Sequence, residues 1–219
     1  IFNEKLVDEL IFLDIDATKE NRKPNINLIH EIATECFMPF SYGGGINNLD
    51  DISDIIKAGA EKGIINEAAV SNDKLIREAS IKCGSSTIIV SIDVKTPFFS
   101  NSPCVYSNNG KRCWKINPVD HARNMEQKGA GEIFINSILL DGTMNGYDLE
   151  LINEISSNIK IPVVACGGAG NLSHISEAIK KTKVSGLGAG SLFSFYKSRK
   201  AVLINYPNNQ QKIEIFDSI

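Results

Sequence analysis

Gly44-Gly45-Ile46-Asn47-Asn48-Leu49-Asp50-Asp51-Ile52-Ser53 returns about 123 positions later as Gly167-Gly168-Ala169-Gly170-Asn171-Leu172-Ser173-His174-Ile175-Ser176. Both stretches read GG-x-x-N-L-x-x-I-S. At the same offset Pro39 falls on Pro162, Lys57 on Lys180, Gly63 on Gly186 and Glu9 on Glu132. So many matches at one spacing indicate an internal duplication. In each copy a glycine turn follows an apolar run and opens an amphipathic one, which is the pattern of a strand, a tight turn and a helix.

Working outward, the same unit repeats along the chain. Strands are predicted at Leu10–Asp16, Pro39–Gly43, Gly63–Asn66, Thr87–Lys95, Ile133–Ile138, Pro162–Cys166 and Val184–Ala189. Helices are predicted at Asn25–Cys36, Leu49–Ala58, Val119–Lys128, Leu149–Ser156 and Leu172–Lys180, with a further one capped by Ser71 and reaching Ile81. Residues 97–115 break the rhythm, and Asn109-Gly110 within them reads as the turn of an inserted hairpin. Alternating strands and helices with short links imply a parallel sheet covered by helices. The expected fold is therefore α/β, a (β/α)₈ barrel of two half-barrels in one domain spanning 1–219. The first half-barrel remnant covers 1–85 and the second half-barrel 86–200. Strand Thr87–Lys95 opens the second half, and its counterpart would precede Ile1. The expectation is thus seven barrel strands, with the first βα unit lying outside the sequence.

Composition narrows the function. A formal net charge of -3 and a pI near 5.7 argue against a nucleic-acid partner. No apolar run is long enough to span a bilayer, and Ile1-Phe2-Asn3-Glu4-Lys5 lacks the form of a signal peptide. The five cysteines form no CxxC pair, so neither a zinc site nor thioredoxin chemistry is expected. Reduced thiols and a cytoplasmic location follow as expectations. Cys104 and Cys113 could meet across the hairpin, though a disulfide there is not expected.

Chemistry should gather where the strands end, because that face of a barrel carries its loops. Tyr42-Gly43-Gly44-Gly45 and Cys166-Gly167-Gly168-Ala169-Gly170 each open a helix, as does Gly188-Ala189-Gly190-Ser191. Glycines admit an anion close to the backbone, and free N–H groups at a helix start can hold phosphate oxygens. The alternative is a tight turn needing a positive φ. Two such turns across one mouth would suit an elongated substrate with a phosphate at each end. Asp14, Asp16, Asp93 and Asp141 fall at or just after strand ends. Asp93 closes an otherwise apolar strand and is the leading candidate for a general acid or base; pairing with Lys95 is the plainer reading. Asp141-Gly142-Thr143 could orient a phosphate or make an Asx-turn. His30, His121 and His174 all fall on predicted helices and suggest surface or packing roles.

These residues resemble the cyclase subunit of imidazole glycerol phosphate synthase, the HisF family. The likeness runs over nearly the whole chain. It includes Phe12-Leu13-Asp14-Ile15, Gly43-Gly44-Gly45-Ile46, Ile65-Asn66 with Ala68-Ala69-Val70, Val90-Ser91-Ile92-Asp93 and Gly129-Ala130-Gly131-Glu132-Ile133. It continues through Asp141-Gly142-Thr143, Gly146-Tyr147-Asp148 and Gly167-Gly168-Ala169-Gly170-Asn171. The resemblance implies a lyase working without metal or organic cofactor. Ammonia would come from a HisH-type glutaminase subunit docked on the N-terminal face and cross the barrel. At the C-terminal face it would meet a ribulosyl-carboxamide nucleotide carrying two phosphates, which is cleaved and cyclised to imidazole glycerol phosphate in histidine biosynthesis.

The resemblance also implies roles. Asp93 matches one of two catalytic aspartates, the other lying on the strand expected before Ile1. Gly45 and Asn66 in one half, and Asp141, Gly142, Gly168, Gly190 and Ser191 in the other, match the substrate and phosphate contacts. Glu9, Lys62 and Glu132 match a charged ammonia gate at the strand starts, for which exposed salt bridges are the alternative. Two departures stand out: Glu67 occupies a position where the family usually has threonine, and Leu139-Leu140 replaces an acidic–basic pair. Segments 17–24 and 201–207 look more like a HisF-like branch found with surface-polysaccharide genes. That branch implies ammonia supply for amidination of an acetamido sugar, by an enzyme or a non-catalytic scaffold.

Overall fold

The computed structural model describes residues 1–98, 100, 102–196, 201–202 and 204–217. Four parallel strands come first: β1 (Leu10–Leu13), β2 (Phe40–Gly43), β3 (Lys62–Ile65) and β4 (Ile88–Lys95). A hairpin of β5 (Cys104–Ser107) and β6 (Arg112–Cys113) then folds antiparallel onto the end of β4. Three further parallel strands follow: β7 (Glu132–Ser137), β8 (Val163–Cys166) and β9 (Gly186–Leu187). The main path runs β1-β2-β3-β4-β7-β8-β9, so the two halves join between β3 and β4. The sheet curls: Ile11 of β1 and Leu187 of β9, its two edges, line one cavity of about 380 Å³. Among the described residues those edges do not pair, and the architecture is a (β/α)₈-type barrel with seven strands in place.

The helices are α1 (Ile26–Glu35), α2 (Leu49–Lys57), α3 (Glu67–Ser71), α4 (Lys74–Cys83), α5 (Pro118–Lys128), α6 (Leu149–Ser156), α7 (Leu172–Lys181), the short α8 (Ser191–Ser194) and α9 (Asn209–Asp217). The duplicated asparagines explain where two of them start. Asn48 accepts from the N–H groups of Asp50 and Asp51, and Asn171 accepts from that of His174. Each extended cap residue satisfies donors that the first helical turn leaves open. Ser71 is a correction to the sequence reading. It ends α3 rather than capping the next helix, because its hydroxyl donates back to the carbonyl of Glu67; α4 begins at Lys74.

Strand alternation sorts the core into two layers. Ile88, Val90, Ile92, Ile133 and Ile135 face outward and bury against Ile52, Ile55, Ile76, Met125 and Ile155 of the helices. Ile11, Ile64, Ile89, Phe134, Val164 and Cys166 face inward and fill the barrel. Each fully buried aliphatic side chain stabilises the fold by roughly 1.5–3 kcal/mol. The inner layer therefore holds the polar ends of the barrel apart.

Replacing Asn48 by alanine removes a two-donor cap. A loss of about 1 kcal/mol is expected, read as a lower urea midpoint with an unchanged denaturant slope.

Candidate active site at the C-terminal mouth of the barrel

At the strand starts, the inward positions of β3 and β7 carry charge. Lys62 Nζ lies 2.7 Å from Glu132 Oε2 and 3.6 Å from Glu9 Oε1, and the hydroxyl of Ser41 donates to Glu9 at 3.2 Å. Burial alone would lower the Lys62 ammonium, but the hydrogen bond and charge of Glu132, with Glu9 behind, more than offset it and move it upward. The ammonium is thus held charged between two carboxylates. The three residues matched to a gate form one charged cluster below the inner apolar layer.

The opposite end opens into a cavity of about 320 Å³ whose lining includes Gly45, Asn66, Asp93 and Asp141. Burial pushes the Asp93 carboxyl up to about 6; the Asn136 amide opposes that shift, and the charge of Asp141 adds to it. Its amide partner follows from the β4–β7 register, which sets Asp93 directly beside Asn136. Asn136 Nδ2 donates to Asp93 Oδ1 at 3.3 Å. Lys95, the plainer partner weighed for Asp93, instead sets its ammonium over the Tyr106 ring at 5.8 Å. Asn66 is held by donation from its amide to the carbonyl of Ser91 at 3.1 Å.

Asp14 lines the same cavity but is engaged. Arg22 grips it with two hydrogen bonds, at 2.8 and 3.1 Å, and those bonds hold its carboxyl below the usual range. Arg22 is a site residue that sequence reasoning missed; its place in the irregular 17–24 segment gave no periodic signal. Glu67 is likewise neutralised, by Arg112 at 3.1 Å, and Arg112 stacks 3.7 Å over the Trp114 ring. The hairpin is thereby latched to the start of α3. Its turn residues Asn108, Asn109 and Gly110 complete the cavity wall. Trp114 does not face the cavity; its indole N–H donates to Ser107 Oγ at 2.7 Å.

The glycine turns are more occupied than their sequence implied. A Cβ on Gly45 would lie 2.4 Å from the Arg22 carbonyl, and one on Gly168 would lie 1.9 Å from that of Gly146. In each half, the loop from the preceding strand packs onto the turn. Positive φ at Gly45 (70°) and Gly168 (102°) also requires glycine. His174, read from sequence as a surface or packing residue, accepts from the Gly170 N–H through Nδ1 at 3.2 Å and braces the second turn. Gly142, Gly168, Gly190 and Ser191 do not line the Asp93 cavity. Gly142, Gly168 and Gly190 fall on loops that follow β7, β8 and β9, and Ser191 opens α8. All five cysteines are free thiols, so Cys104 and Cys113 are not joined.

Three buried acceptor atoms on this cavity's residues lack a hydrogen-bond partner among the described residues: Glu67 Oε2, Asn108 Oδ1 and Asn136 Oδ1. Buried acceptors left open complement a ligand rich in N–H or O–H donors. A buried carboxyl, a donor-seeking wall and a charged cluster at the far end make the C-terminal mouth the candidate site of a barrel enzyme.

The chain belongs to the histidine biosynthesis protein family, whose model matches residues 1–199. It is 48% identical over 208 residues to a Pseudomonas aeruginosa protein provisionally named imidazole glycerol phosphate synthase subunit hisF2, covering 95% of this chain and 82% of that one. A Leptospira borgpetersenii protein, provisionally named imidazole glycerol phosphate synthase subunit HisF, is 44% identical over 99% of this chain and 85% of its own length. The imidazole glycerol phosphate synthase subunit HisF of Clostridium botulinum strain 657 is 40% identical over 94% of this chain and 81% of its own. Among the described residues no helix is long and apolar enough to cross a membrane.

The charged cluster makes a prediction about stability. Lys62→Met strands the buried Glu132 carboxylate and should cost about 2 kcal/mol or more, Glu132→Leu leaves Lys62 with Glu9 and should cost less, and the double variant recovers most of the larger loss. Urea unfolding of the four proteins measures the coupling; simple additivity would contradict it.

Proposed function

We propose that this chain is the cyclase subunit of an imidazole glycerol phosphate synthase, a lyase coupled to a glutaminase. The observation that carries the reading is the pairing of two ends of one barrel. Asp93 stands in a cavity at the strand ends, and the Glu9–Lys62–Glu132 cluster spans the strand starts. The relatives' names supply the reaction class.

On this reading a glutaminase partner releases ammonia at the N-terminal face, and Lys62 with its two glutamates controls entry to the barrel. Ammonia attacks the ribulosyl-carboxamide nucleotide at the C-terminal mouth. Asp93 relays protons there: at neutral pH most of it is ionised, able to take a proton and return it as the product fragments separate. Gly45 and Asn66 bind one end of the substrate; Asp141, Gly142, Gly168, Gly190 and Ser191 bind the other. The carboxyl range of Asp93 sets the pH dependence. Because its ionised form is the base, turnover should fall as pH drops through about 6.

A second reading, ammonia supply for amidination of an acetamido sugar, is favoured by one observation. Glu67, paired with Arg112, keeps its buried Oε2 open in the cavity wall, where it would accept from a sugar hydroxyl and offers nothing to a phosphate oxygen.

Mixing the protein with a glutaminase partner, glutamine and the bisphosphate substrate decides between them. Imidazole glycerol phosphate should form, and Asp93→Asn should lower turnover by about 10²–10⁴-fold. Stimulated glutaminase activity without that product would reject the histidine reading. Unchanged stimulation by Asp93→Asn, again without product, would support a scaffold.

A further inference from the structure

Asp93, Asn136 and Cys166 stand side by side on β4, β7 and β8, placed by two consecutive register pairs. Parallel neighbours in register point the same way, so all three side chains point into the barrel, and Asp93 and Asn136 line its mouth. The middle residue has only one of its two polar atoms engaged. Its amide nitrogen donates to Asp93 Oδ1 at 3.3 Å, while its buried amide oxygen has no hydrogen-bond partner among the described residues.

Room for that amide comes from the second glycine turn. A Cβ on Gly167 would lie 3.1 Å from Asn136 Oδ1 and 2.9 Å from the carbonyl of Ser137. Cys166 on the other side offers no competing charge. Burial pushes its thiol up to about 11, with Asp141 and Asp93 adding to the effect, so it stays protonated.

We propose that Asn136 is the positioning residue for Asp93: its amide N–H orients the carboxylate and favours its ionised form, while its oxygen receives a donor from the bound ligand. The role rests on the reading of Asp93 as the proton-handling group. An amide N–H beside a carboxyl group favours the charged form, because a carboxylate accepts more strongly from it than the neutral acid does. Removing the donor therefore moves Asp93 toward its neutral acid.

The other groups around Asp93 leave this donor without a substitute. Asp141 is anionic and pushes the same way as burial. Lys95, two residues along β4, lies over Tyr106 on β5. On the β3 side Glu67 is bound to Arg112, and Asn66 donates to the Ser91 carbonyl.

The test is a ¹³C NMR titration of the aspartate carboxyl groups, which needs no substrate and so does not depend on the assigned reaction. Asp93 in the unaltered chain should titrate near 6. In Asn136→Leu its midpoint should rise by about one pH unit, and Asn136→Thr, with a hydroxyl donor, should return it most of the way. Asn136→Ala serves the same purpose if the leucine variant does not fold. An unmoved or lowered midpoint, or threonine behaving as leucine, overturns the proposal. A second arm follows turnover driven by ammonium chloride with the bisphosphate substrate. Its acid limb should move with the NMR midpoint, and an acid limb that stays put while the midpoint moves counts against the role. If the unaltered chain shows no such turnover, the functional reading fails while the titration still decides the role of Asn136.

Discussion

The parallel ladder between β4 and β7 pairs Ile89 with Glu132 at one end and Val94 with Ser137 at the other. It is the longest ladder of the sheet and fixes which side chains face inward. Glu132, Phe134 and Asn136 on one strand, with Ile89, Ser91 and Asp93 on the other, point into the barrel; Ile133, Ile135, Val90 and Ile92 point to the helices. A slip of one residue would exchange these sets and bury the carboxylates among isoleucines. The apolar outer layer makes that slip prohibitive, so the packing that holds the helices also aims Asp93 at the mouth.

The duplication survives in the backbone more faithfully than in the chemistry. Both glycine turns carry an asparagine-capped helix, and both are covered by the loop from the strand before. The polar groups around them diverge. The first half sets Asp14 under Arg22 and Glu67 under Arg112, whereas the second braces its turn with His174. The mouth is therefore asymmetric in charge although its frame is nearly twofold.

Much of the frame was legible because apolar periodicity and glycine spacing act locally. The seven strands and the inserted hairpin lie within a few residues of their predicted positions, and α6 matches its predicted span. Predicted strand ends such as Asp16 and Ala189 ran long, since the ladders stop at Leu13 and Leu187 where the chain turns into its loops. Of the 201–207 segment, Leu203 lies outside the described residues. At the site, Asp93 stood out as a polar residue ending an apolar strand. Its partner Asn136 did not, because register across forty-three positions decides their meeting. Arg22 and Arg112 were invisible for a similar reason: their bonds reach from irregular or inserted segments that carry no period.

The chain contains a single tryptophan, and it sits on the hairpin. Trp114 is pinned between the Arg112 guanidinium and the hydroxyl of Ser107. Its emission is thus a signal from one place, the latch beside the mouth. Any occupant that draws Arg112 away from Glu67 alters the charge over the indole ring, so the molecule carries its own optical probe of occupancy.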